Sequence, residues 1–446
     1  MTRRFRFLAP LAVAALVLAA CESGGSPGAS AGGSAGGAAG ACDPDNADNG
    51  TVSVLAVWAT GDAEFDSFQA MVAPFCEETG IGIEYEGTRD ANQVLSTRVQ
   101  GGNPPDVAGL PGPGAMAQFA NEDALTPLDD VLDLDAMADQ YGESWIDLAS
   151  VDGTVYGIFI KAAVKGPIWY NPPAFEEAGY TVPESFDDLT ALVDQIVEDG
   201  NVPWCIGLGS EAATGWPATD WIEDILLRQA GPDVYRQWYT GELPWTDDAV
   251  QTAFETYGEW STDPAYVEGG PDGAISTTFQ NGGDGIFDGS CYLHHQASFI
   301  TGLGAFAEAE AGTDYDFFMF PEIEHNAVIA AGDLFGMFND TEQARELMQY
   351  LTTSEAQQIW VERGGALSPN REVDLEAYPD DISRKSAEAL INAEIVEFDA
   401  SDLMPAEMIE GQGGFYETIL NYMRSPDQLT DFLEEADATR ESAFGS

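Results

Sequence analysis

Aromatic and acidic side chains are concentrated in one short segment, PWCIGLGSEAATGWPATDW at 203–221. It holds Trp204, Trp216 and Trp221 among glycines, prolines and carboxylates. Tryptophan offers a flat apolar platform at low entropic cost, while carboxylates, amides and guanidinium groups can each make two hydrogen bonds. Glycine and proline allow a loop to approach a ligand closely and to hold its shape. The chemistry that this segment predicts is binding of a ring with apolar faces and hydroxylated edges.

The same residues have structural alternatives. We expect Trp204, in a strand-like stretch, to pack in the core. For Trp216 and Trp221 a ligand contact and core packing are equally open, because Trp216 precedes a predicted helix at 220–231 and Trp221 lies in its first turn. Asp220 occupies the N-cap position of that helix, where it would accept a hydrogen bond from the backbone or from a ligand hydroxyl.

Catalytic and metal-binding interpretations have weaker support. Because the chain has 77 acidic residues, close pairs such as Asp62 and Glu64 arise by chance, and the two acids of a glycosidase are defined by their separation in space. The sequence lacks H-E-x-x-H, P-loop and dinucleotide-binding motifs, and its three histidines lack a metal-ligand spacing. A G-x-S-x-G match at 24–28 has no strand before it and no helix after it. We therefore expect a protein that is not an enzyme, with no cofactor and no bound metal.

The amino terminus has the pattern of a secretory signal peptide, with three arginines, a short apolar run and Leu-Ala-Ala before Cys21. This ending resembles the lipobox of bacterial lipoproteins, which implies cleavage before Cys21 and a diacylglyceryl group on its thiol. An ordinary signal peptide followed by an incidental cysteine is the alternative. We expect the signal peptide at 1–20 and the lipidated cysteine with a flexible Gly, Ala and Ser tether at 21–50.

The chain is strongly acidic, with 77 acidic against 16 basic residues and a formal net charge of −61. Nucleic acid and an anionic membrane surface would repel such a chain, so we expect no nucleic-acid partner and contact with the membrane through the lipid anchor only. Only three lysines occur, Lys161, Lys165 and Lys385. Concentrated salt would reduce the destabilising effect of this surface charge, because screening weakens the repulsion between carboxylates.

Four cysteines remain once Cys21 carries lipid: Cys42, Cys76, Cys205 and Cys291. An even set in an exported protein suggests disulfides, for which three pairings exist. We favour pairing of neighbours in sequence order, Cys42 with Cys76 and Cys205 with Cys291, over buried free thiols.

The pattern after the tether predicts alternating strands and helices. Strands are expected at 51–58, 81–87 and 104–110, helices at 62–80 and 91–102, and further elements as paired strands at 153–171 and helices at 186–200, 220–231 and 341–365. Such β-α-β-α-β alternation builds a parallel sheet, whose strand carboxyl ends, near Trp58, Gly87 and Ala108, lie on one edge.

Eight ordered segments carry a family resemblance. They are VWATGDAEF at 57–65, EYEGTRD at 84–90, GNPPDVAGLPGPG at 102–114, KGPIWYNPPAFEEAGY at 165–180, PWCIGLGS with GWPATDWIEDILLR at 203–228, FQNGGDGIFDGSCYLHHQASFI at 279–300, AAGDLFGMFND at 330–340 and GGALSPN at 364–370. Over essentially all of 51–446 the chain resembles the extracellular solute-binding proteins of bacterial ABC importers, in the carbohydrate group that includes maltose-binding protein. Within that group it is most similar to the α-glucoside-binding type.

The resemblance implies an α/β fold of the type II periplasmic-binding-protein class, with two lobes, hinge strands between them and a ligand cleft. The first lobe would comprise 51–161 plus 314–361, and the second 162–313 plus 362–446. Ligand contacts are expected from the first lobe at Trp58, Glu64, Arg89, Asp106, Asp333 and Phe335, and from the second lobe at Trp216, Asp220, Trp221, Gln296 and Arg363.

The function implied is capture of a carbohydrate, an α-glucoside or oligosaccharide, by a lipid-anchored monomer on the extracellular face of the cell membrane, or in the periplasm of a cell with an outer membrane. The closed protein would deliver its ligand to the transmembrane permease subunits of an ABC importer. Two alternatives remain open at this point: a secreted glycoside hydrolase acting on α-glucosides, and a binding protein of the same fold for a polyamine, metal or peptide.

Overall fold

The computed structural model describes residues 42–110, 112–393 and 395–445, which belong to one compact unit. The signal peptide, Cys21 and the tether as far as 41 lie outside the described residues. The tether was expected to reach 50, but residues 42–50 are already part of the fold. Cys42 is buried, its carbonyl accepts the Ile83 N–H at 2.9 Å, and the Gly50 carbonyl accepts the Gly82 N–H at 3.0 Å.

Strands and helices alternate through most of the chain. The strands are β1 Thr51–Ala56, β2 Gly82–Gly87, β3 Val107–Leu110, β4 Ser150–Val151, β5 Thr154–Val155, β6 Gly157–Lys165, β7 Pro167–Tyr170, β8 Leu293–His295, β9 Asp316–Met319, β10 Val328–Met337 and β11 Val396–Phe398. The α-helices are Ala63–Thr79, Ala91–Gln100, Pro113–Asn121, Leu134–Tyr141, Glu143–Leu148, Pro172–Ala178, Phe186–Glu198, Trp216–Ala230, Pro232–Tyr239, Asp248–Ser261, Gly270–Ser276, Gly285–Asp288, Glu342–Leu351, Ser354–Arg363, Asp381–Asn392, Ala400–Leu403, Ala406–Ile409, Phe415–Arg424 and Leu429–Ala443. Short 3₁₀ turns include Glu211–Ala213, Phe279–Asn281 and Ser298–Gly302.

A six-stranded sheet forms the core of the first lobe. β1 pairs in parallel with β2 and β3, which confirms the predicted β-α-β-α-β arrangement. β10 pairs antiparallel with β3 and β6 and parallel with β11. The helix Ala63–Thr79 covers one face by burying the side chains spaced along its apolar stripe, Phe68, Met71, Val72 and Phe75.

A three-stranded antiparallel sheet, in the order β8-β7-β9, lies in the second lobe. Helices supply most of the packing there, and the central one, Trp216–Ala230, is buried from Pro217 to Arg228. In the described residues, two stretches of chain connect the two sheets and a third leads from the large sheet into helices. β6 ends at Lys165 and leads through Gly166 into β7, β9 precedes β10, and β11 is followed by the helix Ala400–Leu403. These crossings have the arrangement expected of hinge strands.

Two strands fall on the other side of the expected lobe boundaries. β9, expected in the first lobe as part of 314–361, pairs with β7 in the small sheet. β11, expected in the second lobe as part of 362–446, pairs with β10 in the large sheet. Backbone pairing, which the order of segments does not specify, assigns each strand to its sheet.

The helix expected at 220–231 begins earlier than predicted, at Trp216, with Gly215 as its N-cap. Gly215 has φ 118°, and a Cβ there would lie 3.2 Å from Tyr416, so glycine suits the position on both counts. Asp220 therefore lies in the second turn, and the expectation that it caps the helix is wrong.

Both favoured disulfides are present, Cys42–Cys76 and Cys205–Cys291. The first ties the start of the fold to the helix Ala63–Thr79, and the second joins the strand-like Trp204 region to Cys291, two residues before β8. Trp204 is fully buried, as expected. No helix among the described residues is long and apolar enough to cross a membrane.

Candidate functional site

A cavity of about 210 Å³ lies between the two lobes. Its lining from the first lobe and the crossing strands is Val57, Trp58, Glu64, Arg89, Leu110, Lys161 and Asp333, and from the second lobe Ser210, Ala213, Trp216, Phe279 and Phe299. Val57 and Trp58 follow β1, Arg89 follows β2 and Leu110 ends β3. The cavity therefore opens at the edge of the sheet where the carboxyl ends of these strands were predicted to lie together.

The first-lobe wall carries a chain of paired charges. Lys161 Nζ donates to Glu64 Oε1 at 2.7 Å and lies 3.3 Å from Asp333 Oδ2. Arg89 donates to Asp62 at 2.6 Å and reaches Glu64 at 3.5 Å. Three carboxylates thus surround two cations, and the charged groups are held in place before any ligand arrives.

An irregularity in strand pairing positions this chain of charges. β10 faces β6 with Asp333 opposite Lys161 and Leu334 opposite Phe159, so Ile160 is an extra residue on β6. A bulge of this kind redirects neighbouring side chains and is common beside functional sites. Here Lys161 and Asp333 both point into the cavity from the crossing strands.

Burial and pairing act together on the pKa values of these groups. Burial alone would raise the pKa of Glu64, but Lys161 and Arg89 outweigh it and lower that pKa below the ordinary value. For Asp333 burial dominates over the attraction of Lys161, and the pKa is raised. Burial disfavours the ammonium form of Lys161, yet Asp333 and Glu64 raise its pKa overall. Lys161 therefore remains a cation and a hydrogen-bond donor at neutral pH.

The second-lobe wall is aromatic. Trp216 packs against Phe279 with ring centroids 5.1 Å apart and against Phe299 at 5.9 Å. The Arg89 guanidinium lies 5.4 Å from the Phe279 centroid, and Lys161 Nζ lies 5.7 Å from that of Phe299. Cations of the first lobe thus face aromatic rings of the second, with cation–π geometry.

Five of the predicted contact residues meet at this cavity: Trp58, Glu64, Arg89, Trp216 and Asp333. Trp58 is nearly fully buried and also packs edge-on against Trp360 at 4.8 Å. All five are expected from the family resemblance, and Trp58 also lies at the end of a strand predicted from the sequence pattern.

Asp106 and Phe335 are held elsewhere, which corrects their assignment to the ligand. Asp106 precedes β3, at the opposite end of that strand from the cavity, and accepts hydrogen bonds from the Ser53 hydroxyl at 2.8 Å and the Ser53 N–H at 2.9 Å. Phe335 is fully buried in β10 and stacks on Trp58 and Phe68.

Trp221 and Asp220 also lie away from the cavity lining. Trp221 is 2% exposed and packs against Trp204, Tyr257 and His295 in the second-lobe core. Asp220 accepts hydrogen bonds from Lys165 Nζ on both oxygens at 2.8 Å. Both side chains are buried because the helix Trp216–Ala230 is packed inside the protein from Pro217 to Arg228.

Gln296 and Arg363 complete the predicted set. Gln296 is buried after β8, where its carbonyl accepts the Trp169 Nε1–H at 2.8 Å and its Oε1 accepts the Ala297 N–H at 2.8 Å. Arg363 lines an adjoining cavity of about 300 Å³ and donates to the Ser67 hydroxyl at 3.2 Å. Only Arg363 of these two lies near the cleft.

Lys161, Phe279 and Phe299 were missed in the sequence analysis. A signal for Lys161 existed, since two of only three lysines stand four residues apart in the apolar stretch FIKAAVK. A lysine in a buried strand needs a carboxylate partner, which makes both positions candidates for a charged site. The sequence contains no comparable signal for Phe279 and Phe299, because phenylalanine is commonly buried in protein cores without contacting a ligand.

Comparison with known proteins agrees with this architecture. A model of the family described as bacterial extracellular solute-binding protein matches residues 58–358. The osmoprotective compounds-binding protein GgtB of Synechocystis sp. is 40% identical over 397 residues, 87% of this chain and 93% of that protein. The alpha-glucosides-binding periplasmic protein AglE of Rhizobium meliloti (strain 1021) is 39% identical over 388 residues, 84% of this chain and 83% of that protein.

Solved structures show the same fold at lower identity. The bacterial solute receptor AcbH superposes with a TM-score of 0.75 at 21% identity, covering 89% of this chain and all of that one. The GacH receptor of Streptomyces glaucescens superposes with a TM-score of 0.66 at 17% identity, covering 89% of this chain and 97% of that one. The expected two-lobed fold of type II periplasmic-binding proteins is confirmed. The chain therefore belongs to the bacterial extracellular solute-binding proteins, and as a member of that family it is a binding protein rather than an enzyme.

Proposed function

We propose that this protein captures a carbohydrate in the cleft between its lobes and delivers it to the permease of an ABC importer. The observation that carries the proposal is the composition of the 210 Å³ cavity, in which the aromatic wall of the second lobe faces the paired charges of the first. Flat rings pack against the C–H faces of a sugar, and fixed carboxylates, an ammonium and a guanidinium group hydrogen-bond its hydroxyls.

Trp58, Glu64, Arg89, Trp216 and Asp333 are the predicted residues that we propose contact the ligand, joined by the newly identified Lys161, Phe279 and Phe299. Glu64 and Asp333 supply acceptors for hydroxyl groups, while Lys161 and Arg89 supply donors. Because each cation is already paired with carboxylates at 2.6–3.3 Å, the site suits a neutral ligand better than an anionic one.

Closure follows from the division of the site between lobes. Contacts from both walls reach the ligand only when the lobes approach, so ligand binding favours the closed form over the open one. β6, β10 and β11 supply the crossing segments about which we propose the lobes move. We retain the lobe division at 51–161 plus 314–361 and 162–313 plus 362–446, with β9 and β11 exchanged as their pairing requires.

The ligand we propose is an α-glucoside. The name of AglE supports this class, and the name of GgtB adds osmoprotective compounds as the class to test beside it. We also propose that the chain is cleaved before Cys21, is lipid-anchored on the extracellular face of the membrane or in the periplasm, and acts as a monomer.

Calorimetric titration of the purified protein tests the proposal. A panel of methyl α-glucoside, sucrose, trehalose, maltose and the matching β-glucosides is expected to contain a ligand of micromolar affinity, about −8 kcal/mol. Spermidine and a tripeptide serve as probes of the other ligand classes. Binding of either with no heat from any sugar would contradict a carbohydrate ligand. Small-angle scattering should show a smaller radius of gyration with the bound sugar than without it.

A further inference from the structure

Phe299 stands between two cavities. It lines the 210 Å³ cavity of the cleft and also the adjoining cavity of about 300 Å³, and among the described residues Glu64 is the other one common to both linings. The two spaces therefore adjoin across these two side chains. Removal of the Phe299 ring would join them into one longer cavity.

The adjoining cavity has the same chemistry as the cleft. Its lining comprises Ala63, Glu64, Asp66, Ser67, Phe299, Gly302, Leu303, Trp360, Arg363, Gly364 and Gly365. An indole, a guanidinium group, two carboxylates and a hydroxyl are thus present together. These are the groups that bind a polyhydroxylated ring.

Phe299 is held in place by the chain on both sides of it. The neighbouring Ser298 hydroxyl accepts the Val164 N–H of β6 at 3.1 Å. Gly302 approaches Gly365 so closely that a Cβ on Gly302 would lie 3.3 Å from the Gly365 Cα. The ring itself packs against Trp216 at 5.9 Å, so it forms a fixed wall.

The cleft cavity that Phe299 closes off on one side is small. A volume of about 210 Å³ lies below the roughly 300–1,000 Å³ of cavities that enclose drug-sized ligands, so the cleft suits a small ligand. We propose that Phe299 determines ligand length: one ring with a small substituent fits in the cleft, and Phe299 excludes further rings from the adjoining cavity. This inference rests on the proposed carbohydrate function.

Titration with methyl α-glucoside, maltose and maltotriose tests the proposal in wild type, Phe299→Ala and Phe287→Ala. Phe287 belongs to the same aromatic cluster but lines neither cavity, so it controls for the loss of a phenylalanine. Wild type is expected to prefer the shortest ligand. In Phe299→Ala the affinity ratio should shift toward maltotriose by about tenfold or more, because the clash against the longer ligand is removed. Phe287→Ala should keep the wild-type ratio.

Phe299→Leu keeps much of the packing against Trp216 and is expected to shift the ratio in the same direction by a smaller factor. Equal ratios in wild type, Phe299→Ala and Phe299→Leu would overturn the role of Phe299 while leaving the proposed function intact. Tight maltotriose binding by wild type would overturn it as well. Absence of binding by wild type to these three sugars and to every other sugar of the calorimetric panel would overturn the proposed function and this inference together.

Discussion

The guanidinium of Arg89 lies 5.4 Å from the ring centroid of Phe279, and the two residues belong to opposite lobes. Arg89 follows β2 of the large sheet, whereas Phe279 begins a 3₁₀ turn that packs on the second-lobe core. Such a contact exists only when the lobes are close together. It therefore contributes to closure whether or not it touches the ligand.

A double-mutant cycle on this pair measures its contribution. Phe279→Ala is expected to weaken ligand binding by about 0.5–1 kcal/mol, a few-fold in Kd, through loss of the cation–π contact. The effect should be smaller when Arg89 is already alanine, because the cation–π contact is then absent while the proposed contact of Phe279 with the ligand remains. Calorimetry on the four proteins gives the coupling energy. Additive effects of the two substitutions would show that the Phe279 ring and the Arg89 guanidinium contribute independently to ligand binding.

Trp216 and Trp221 are expected to respond differently to replacement by alanine. Trp221 is buried in the core, so Trp221→Ala should lower the free energy of unfolding by about 3–5 kcal/mol. Trp216→Ala should weaken sugar binding and cost less than about 2 kcal/mol of stability, since the side chain is only partly buried. Denaturant unfolding without ligand and calorimetry with ligand separate the two effects. The reverse pattern would place Trp221 in the site.

Stability should depend on pH through Asp220. Burial raises the pKa of Asp220 to about 7 against the attraction of Lys165, which it shares with Asp399. Between pH 4 and 7 the folded protein thus holds a proton that the unfolded chain has released, so the free energy of unfolding falls as pH rises through this window. In Asp220→Asn the free energy of unfolding should decrease less steeply with pH, by up to about 1.4 kcal/mol per pH unit.

Exposed Asp431 provides the matched control for this measurement, and Asp431→Asn should keep the wild-type slope. Burial also raises the pKa values of Glu223 and Asp402 well above their ordinary range, so part of the fall should persist in Asp220→Asn. Denaturant unfolding at half-unit intervals of pH checks the prediction. An unchanged slope in Asp220→Asn would show that Asp220 is ionised throughout this window.

Salt should stabilise the folded protein. With a formal net charge of −61, carboxylates repel one another over the surface, and the Debye length falls from about 30 Å at 0.01 M to about 3 Å at 1 M salt. The melting temperature is therefore expected to rise with sodium chloride, most steeply at low concentration. A melting temperature that falls over this range would mean that salt weakens the ion pairs more than it relieves the repulsion.

The sequence predicted the elements near the site well, because local periodicity determines them. The apolar stripe of 62–80 and the alternation of 81–87 depend on burial of one face, and both elements form as expected. The helix Trp216–Ala230 starts four residues before the predicted start at 220, with Gly215 at its N-cap and Pro217 in its first turn. Glycine with positive φ and proline in the first helical turn are equally suited to begin a helix.

The sequence by itself determined the class of protein, the positions of most strands and helices and the side chains that follow β1 and β2. Only the tertiary structure decided which tryptophan faces the cleft, since packing buries the helix from Pro217 to Arg228, Trp221 included, while Trp216 at its start lines the cavity. It also decided the partners of the buried lysines, because Lys161 meets Asp333 from β10 and Lys165 meets Asp399 after β11. A buried lysine is stable only when it is paired with a carboxylate, and the pairing of strands that are distant in sequence determines which carboxylate lies within reach.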